Sequence, residues 1–100
     1  MNSPNIVIAD SFFTRALGLM FRKEIGFDEA MYFPHCTSVH TLGMRASIDV
    51  IFLSSDGKIL RICEAVPPLR VRRYESAYGV LEMAAGSARL RGYTTQMKVI

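Results

Sequence analysis

An aspartate inside the most apolar run of this chain is the first candidate for chemistry. Asp49 interrupts the hydrophobic run Ile48–Leu53, and Glu82 interrupts a second apolar run, residues 80–84. A carboxylate in such a segment must either reach solvent or be buried and held by a cation or by hydrogen-bond donors. Both faces of the run around Asp49 are apolar, so we expect a central strand and a buried acid. The two acids predict a polar cluster on a β scaffold.

Cationic side chains elsewhere in the chain could hold these two acids. Arginine is the usual partner of a buried carboxylate, because its planar fork matches both oxygens. Backbone amides are the alternative partners, and with Arg15, Arg22 or amides as partners both acids could serve the architecture alone. With one histidine and three arginines as candidate partners, the predicted ligand-binding residues are Arg15, Arg22, His40, Arg45, Asp49 and Glu82.

These residues support three functional hypotheses. The leading one is a small non-enzymatic domain that binds a ligand or partner or acts as an accessory factor, because no complete catalytic constellation is visible. The first alternative is a hydrolase or lyase that uses His40 with Asp49 and Glu82, which requires the three side chains to converge on one pocket. The second alternative is the recognition of an anionic partner by the loop from Arg70 to Tyr74.

The basic loop raises the question of nucleic acid. Arg70, Arg72 and Arg73 are followed by Tyr74 and Tyr78, and interleaved cations and aromatic rings are typical of nucleic-acid binding. However, nine acidic residues offset twelve Lys and Arg, which leaves a net charge of only +3. A solvated loop is therefore the simpler interpretation, and nucleic acid is not the expected partner.

The two cysteines, Cys36 and Cys63, do not form a CxxC motif or a disulfide framework. Cys36 lies between His35 and His40, which invites a metal hypothesis, but this spacing is not a common ligand pattern. We expect two reduced, interior thiols and neither a metal nor another cofactor.

Length and composition predict a single domain over residues 1–100. Half of the residues are hydrophobic, which is enough for a sizeable core, but no apolar stretch approaches the roughly 20 residues of a membrane span. The N-terminus lacks the basic flank and apolar core of a secretory signal. We therefore expect a cytoplasmic protein, whose partner is a small molecule or a protein and whose oligomeric state stays open.

The elements that position these residues are short. A β-branched run over residues 5–10 predicts a first strand, and Asp10 or Ser11 would begin a helix that ends near Leu17. Asp56-Gly57 predicts a tight turn. Further strands are expected at residues 30–33, 48–53, 58–65, 78–84 and 96–100, with an ambiguous segment at 38–44.

Alternation along residues 58–65 would place Ile59, Arg61 and Cys63 on one face of their strand. Residues 69–76 read as an exposed loop, and Ser87 would cap a helical turn that Gly92 ends. The total is about six short strands and two short helices. This pattern predicts an α+β domain, mostly antiparallel and either barrel-like or sandwich-like.

Several of these segments together resemble domain-of-unknown-function family 192. The resemblance is carried by TRALGLMFR at residues 14–22, AMYF at 30–33, SVHTLGMR at 38–45, IDVIFL at 48–53 and VLEMAAG at 80–86. Asp56-Gly57 and Pro67 continue it, and it extends from about Ile6 to Val99. Each piece is weak alone, but the combination is specific.

The resemblance implies a small, mostly β, α+β domain of bacteria and archaea, often exported in relatives and without an established activity. It places Arg15, Arg22, His40, Asp49 and Glu82 at typical family positions. The chain departs from the family pattern at Ala30, where glycine is usual, at Ser47, where proline is common, and at Gln96-Met97, where Gly-Asp usually precedes the last strand.

Overall fold

The computed structural model describes residues 4–8 and 26–100. Within these ranges the chain forms seven strands and one short helix, α1 (Ser87–Leu90). The strands are β1 (Asn5–Ile8), β2 (Glu29–Pro34), β3 (Ser38–His40), β4 (Ile48–Leu53), β5 (Ile59–Val66), β6 (Val71–Arg73) and β7 (Gly79–Ala84). The helix predicted between Asp10 and Leu17 lies outside the described residues.

Five of the strands form one open sheet with the order β1-β2-β7-β4-β5. The pair β1–β2 is parallel, and the other neighbours are antiparallel. Strands β3 and β6 form a separate antiparallel pair, which we call the ribbon. The prediction of a mostly β domain with mostly antiparallel pairing is confirmed, and of the two predicted helices only α1 lies within the described residues. A barrel-like closure is wrong, because β1 and β5 lie at opposite edges of the described sheet.

The centre of the sheet is buried on both sides, since every residue of β4 and β7 is buried. Val50 and Phe52 contribute to the core on one side, which we call the first face; the ribbon covers part of it through Val39 and Tyr74. The opposite side, the second face, packs against Ala88 of α1 and the C-terminal segment. The central strand predicted at residues 48–53 is therefore confirmed.

A tight turn joins β4 to β5 as predicted. Ser54 and Lys58 pair through their backbones, and Gly57 has a φ of 83°. The predicted final strand at residues 96–100 is wrong, because only a single bridge, Lys58 with Lys98, forms there. Gln96 has a φ of 72°, a left-handed conformation that interrupts extended structure.

Two further sequence predictions fail for local reasons. The segment predicted as a loop at residues 69–76 contains β6, which pairs with β3 although its own pattern shows no clear apolar alternation. The predicted cap residue Ser87 is instead the first helical residue, after Gly86 in a left-handed conformation. Gly92, with a φ of 69°, follows α1 as expected. No helix within residues 4–8 and 26–100 is long and apolar enough to cross a membrane.

The strand β5 does not alternate regularly. Its pairing with β4 shifts register twice, between Phe52 and Leu53 and again beside Asp49. Ile59 therefore packs on the second face, whereas Cys63 packs on the first. The prediction that these two residues share a face is wrong, because an extra residue in a β-bulge reverses the alternation.

Gly57 and Gly92, which have similar positive φ values of 83° and 69°, provide a test of the turn between β4 and β5. A Cβ on Gly57 would overlap the backbone of Ile100, whereas one on Gly92 would meet no atom within 4 Å. We expect Gly92→Ala to cost about 1 kcal/mol, from the left-handed conformation alone. Gly57→Ala should cost roughly twice that or more, because the C-terminal segment must also move. Urea denaturation measures both; equal losses would contradict the close approach of the C-terminus.

Candidate functional site

The carboxylate of Asp49 is fully buried and accepts two backbone hydrogen bonds. Its side chain lies on the second face of β4, and the residue has 0% relative exposure. Oδ1 accepts from the N–H of Ala65 at 2.9 Å, and Oδ2 accepts from the N–H of Ala88 at 2.9 Å. One carboxylate thus joins β4 to the end of β5 and to α1.

Local backbone geometry aims these two N–H groups at the carboxylate. Ala65 lies at the irregularity where β5 carries one residue more than β4, and its φ is 50°. A bulged residue loses its regular ladder partner, so its N–H is available to a side chain. Gly86, with a φ of 92°, turns the chain into α1 and brings Ala88 against the sheet.

Within the described residues, backbone amides hold Asp49, which is one of the two interpretations that the sequence allowed. Arg89 of α1 is exposed, and its guanidinium fork holds Glu64 through two contacts of 3.2 Å. Glu64 raises the pKa of Arg89 through this hydrogen-bonded pair, and the charge of Asp49 adds a smaller increase. The other predicted partners, Arg15 and Arg22, lie outside the described residues.

Glu82 is buried in a different environment. It is 6% exposed and lies on β7 opposite Met31 of β2 and Val50 of β4, among apolar side chains of the first face. No hydrogen bond or ion pair joins its carboxyl to another residue of the described chain. Burial raises the pKa of Glu82 from 4.5 to about 7. Near neutral pH this acid is therefore partly protonated, because the apolar surroundings disfavour its charge.

The sheet separates the two buried acids. Asp49 is in register with Met83, whereas Glu82 is in register with Val50. Residues directly opposite each other share a face, and successive residues alternate. The two carboxyls therefore lie on opposite faces of the same sheet.

His40 and Arg45 lie away from both acids. Val39 packs onto the first face, so the next residue of β3, His40, faces away from the sheet. The His40 ring is exposed, and its Nδ1 accepts from the N–H of Leu42 at 3.3 Å. Arg45 is exposed in the connection between β3 and β4. The structure does not bring these residues together with Asp49 or Glu82.

A buried threonine next to His40 was not among the predicted residues. Thr41 is 1% exposed, and its hydroxyl donates to the carbonyl of Pro67 at 2.7 Å and accepts from the N–H of Arg70 at 2.8 Å. Its own N–H donates to the carbonyl of Arg70 at 2.8 Å. Thr41 therefore fixes the turn before β6 against the end of β3. Its sequence gives no signal for this role, because the contacts span almost thirty residues.

Cysteine and histidine are dispersed rather than clustered. Cys36 and Cys63 are half-buried against the first face, and the Cys36 thiol donates to the carbonyl of Ser38 at 2.9 Å. His35 Nε2 is 3.1 Å from the hydroxyl of Tyr78. Among residues 4–8 and 26–100, no three His, Cys, Asp or Glu side chains are grouped so that they could hold a metal ion.

Removal of the Asp49 carboxylate should destabilise the fold strongly. Asp49→Ala leaves the N–H groups of Ala65 and Ala88 without their acceptor, and an unsatisfied buried donor costs about 1–3 kcal/mol. We expect a loss of about 3–5 kcal/mol in unfolding free energy, measured by urea denaturation. Glu75→Ala, at an exposed acid, should change stability by less than about 0.5 kcal/mol. Equal values for the two variants would contradict a structural role for Asp49.

Glu82 should give the protein a distinctive pH dependence. The folded state holds this proton more tightly than the unfolded chain, so the contribution to stability is full below pH 4.5 and is lost as the pH rises to about 7. The loss should reach about 3 kcal/mol, since one pKa unit corresponds to about 1.4 kcal/mol. Glu82→Gln removes this dependence because glutamine does not titrate.

Unfolding free energies of wild type and Glu82→Gln across this pH range measure the effect, because their difference cancels other titrating groups. The exposed control Glu75→Gln should follow the wild-type curve. If Glu82→Gln also runs parallel to wild type, the carboxyl is hydrated in the folded protein and its burial is contradicted.

Comparison with known proteins extends these observations. UPF0127 protein PF1050 of Pyrococcus furiosus is 38% identical over 84 residues, covering 74% of this chain and 72% of the relative. UPF0127 protein PH1112 of Pyrococcus horikoshii is 41% identical over 63 residues, covering 60% of this chain and 55% of the relative. Both relatives carry family names that assign no activity.

Two solved structures share the fold. A Novosphingobium aromaticivorans protein of unknown function superposes with a TM-score of 0.84 at 25% identity, covering 95% of this chain and 73% of that protein. A Sinorhizobium meliloti protein, provisionally described as a transcription regulator, gives a TM-score of 0.82 at 26% identity, covering 91% of this chain and 76% of that protein.

The family comparison covers nearly the whole chain and agrees with the motifs found in the sequence. The model of DUF192, described as an uncharacterized ACR, matches residues 2–100. The chain therefore belongs to the DUF192 family.

Proposed function

We propose that this chain is a small non-enzymatic domain that binds a ligand or partner or serves as an accessory factor. The observation that carries the proposal is the placement of Asp49 and Glu82 on opposite faces of one sheet. Acid–base or nucleophilic catalysis requires its groups within hydrogen-bond reach of the same substrate. Two carboxyls separated by a sheet do not meet this requirement.

The commitments of the individual side chains support the same conclusion. Both oxygens of Asp49 accept backbone hydrogen bonds that the fold requires. Glu82 lies among apolar side chains beneath the surface. His40 faces away from the sheet, so the three predicted catalytic residues lie in three different places in the fold. The description of the family as uncharacterized assigns no reaction either.

The provisional description of the Sinorhizobium meliloti protein suggests contact with nucleic acid as another function. Stacking on bases requires exposed aromatic rings beside the cations. In this chain the ring of Tyr74 packs on Phe52, with centroids 5.9 Å apart, and the ring of Tyr78 contacts His35 at 4.8 Å. The aromatic rings next to the basic segment therefore pack against other side chains of this chain, which does not favour nucleic acid as the partner.

A substrate panel tests the non-enzymatic proposal. Wild type and His40→Gln are assayed with chromogenic esters, phosphoesters and glycosides across pH 5–9. Because His40 is exposed, its replacement should leave the unfolding free energy within about 0.5 kcal/mol of wild type. We expect no turnover above background for either protein. Turnover by wild type that falls at least about tenfold in His40→Gln would overturn the proposal, since a general base contributes about that much or more.

A further inference from the structure

Three exposed aliphatic side chains project from one small region around the ribbon. Leu42, Leu69 and Val71 are 49%, 67% and 62% exposed. The two segments that carry them are hydrogen-bonded to each other, because the N–H of Leu69 donates to the carbonyl of Thr41 at 3.2 Å and Val71 pairs with His40. Single exposed aliphatic residues are common on protein surfaces, but a cluster of them marks an interaction site.

The backbone at Leu69 strengthens this observation. Leu69 has a φ of 63°, in a left-handed region that a leucine side chain rarely adopts. The contacts of Thr41 with Pro67 and Arg70 on either side hold the turn in this shape. Strained backbone that the surrounding structure maintains is enriched at functional positions. The fold thus keeps a leucine in solvent at an energetic cost.

The positive charge of the chain is concentrated in the same place. The two segments that build this region, residues 36–47 and 66–75, contain Arg45, Arg70, Arg72 and Arg73 and a single acid, Glu75, whose carboxylate lies 3.9 Å from the guanidinium of Arg73. Of the chain's twelve Lys and Arg, eight remain elsewhere against the other eight acids. The net charge of +3 is therefore a property of the ribbon region, and the remainder of the chain is neutral.

The orientation of the ribbon separates its two sides. Val39 and its cross-strand neighbour Arg72 are on the side that faces the sheet, since Val39 packs on the first face. Val71 and Arg73 alternate with Arg72 and therefore face outward. Arg70 is held over its own turn, where its Nη1 donates to the carbonyl of Leu69 at 3.1 Å. The outward side thus combines aliphatic groups with guanidinium groups.

We infer that the exposed side chains of this region, Leu42, Leu69, Val71, Arg45, Arg70 and Arg73, together called the ribbon surface, dock on a lipid bilayer that contains anionic headgroups. This inference rests on the proposed binding function and specifies its partner. Aliphatic tips enter the boundary between headgroups and acyl chains, while guanidinium groups contact lipid phosphates. The surface presents no free aromatic rings for stacking on nucleic-acid bases, and a bilayer accepts projecting leucines without a complementary pocket.

Co-sedimentation with vesicles tests the inference directly. The full chain is mixed with phosphatidylcholine vesicles with or without phosphatidylglycerol, at low and high salt. We expect binding only to the vesicles that contain phosphatidylglycerol, and weaker binding at high salt, because the attraction of arginines to anionic lipid is screened. Free glycerol phosphate at millimolar concentration should not compete, because it lacks the acyl boundary.

Two double variants separate the apolar and charged contributions. Leu69→Asn with Val71→Thr removes the aliphatic tips but suits the backbone, because asparagine tolerates the left-handed region and threonine suits a strand. Arg70→Gln with Arg73→Gln removes two charges and should weaken binding about 25-fold, at about fivefold per arginine. Arg61→Gln with Leu90→Gln removes one exposed arginine and one exposed leucine that are not part of the ribbon surface, and this control should bind as wild type does.

The possible outcomes decide between the alternatives. Loss of binding in both ribbon variants, with the control unchanged, supports the inference. Absence of binding at low salt overturns it and leaves the proposed non-enzymatic function standing, whereas turnover that is lost in His40→Gln overturns that function without affecting the vesicle result. Binding that depends on the arginines but not on Leu69 and Val71, or that glycerol phosphate abolishes, assigns the surface to soluble polyanions and overturns the bilayer. If the control variant loses as much vesicle binding as the ribbon variants do, the binding site is not on the ribbon.

Discussion

The carboxylate of Asp49 is the constraint on which the rest of the sheet depends. Its two oxygens accept hydrogen bonds from Ala65 and Ala88, 16 and 39 residues away in the chain. A buried carboxylate is tolerated only with such partners, and the N–H groups in turn need an acceptor because the bulge and the helix start deprive them of regular ones. The carboxylate and the two N–H groups therefore satisfy each other's need for a hydrogen-bond partner. The interaction fixes the irregular end of β5 and the position of α1 together.

Glu82 shows that the same sequence context can have a different physical solution. Both acids interrupt apolar central strands, but within residues 4–8 and 26–100 no irregular backbone supplies N–H groups to Glu82. Its burial is compatible with folding because the acid can keep its proton, which is the meaning of the pKa raised to about 7. A pattern of apolar residues around an acid therefore predicts burial but not charge state. That state depends on whether a bulge or a helix start lies opposite the side chain.

The burial of the run around Asp49 and the positions of β4 and its turn could be predicted from the sequence, whereas irregular strand pairing could not. The run around Asp49 and the Asp56-Gly57 turn carried strong local signals, and β4 and its turn formed where expected. The bulges of β5 left no signal, and they reversed the face of Cys63 relative to Ile59. β6 was missed because its pairing depends on β3 and on Thr41 rather than on its own composition.

The two buried acids do not form one cluster, for the same reason. Sequence patterns located buried acids, but the face of each residue depends on its register with a neighbouring strand, and a shift of one residue changes the face. The positions of Asp49 and Glu82 in the pair β4–β7 differ by one step, which is enough to place them on opposite faces. The acids inside the sheet therefore act on the fold itself, while the ribbon, whose Val39 packs on the core, leaves Val71 and Arg73 directed outward. Recognition by this chain is thus expected at the ribbon, where exposed aliphatic side chains and arginines lie together.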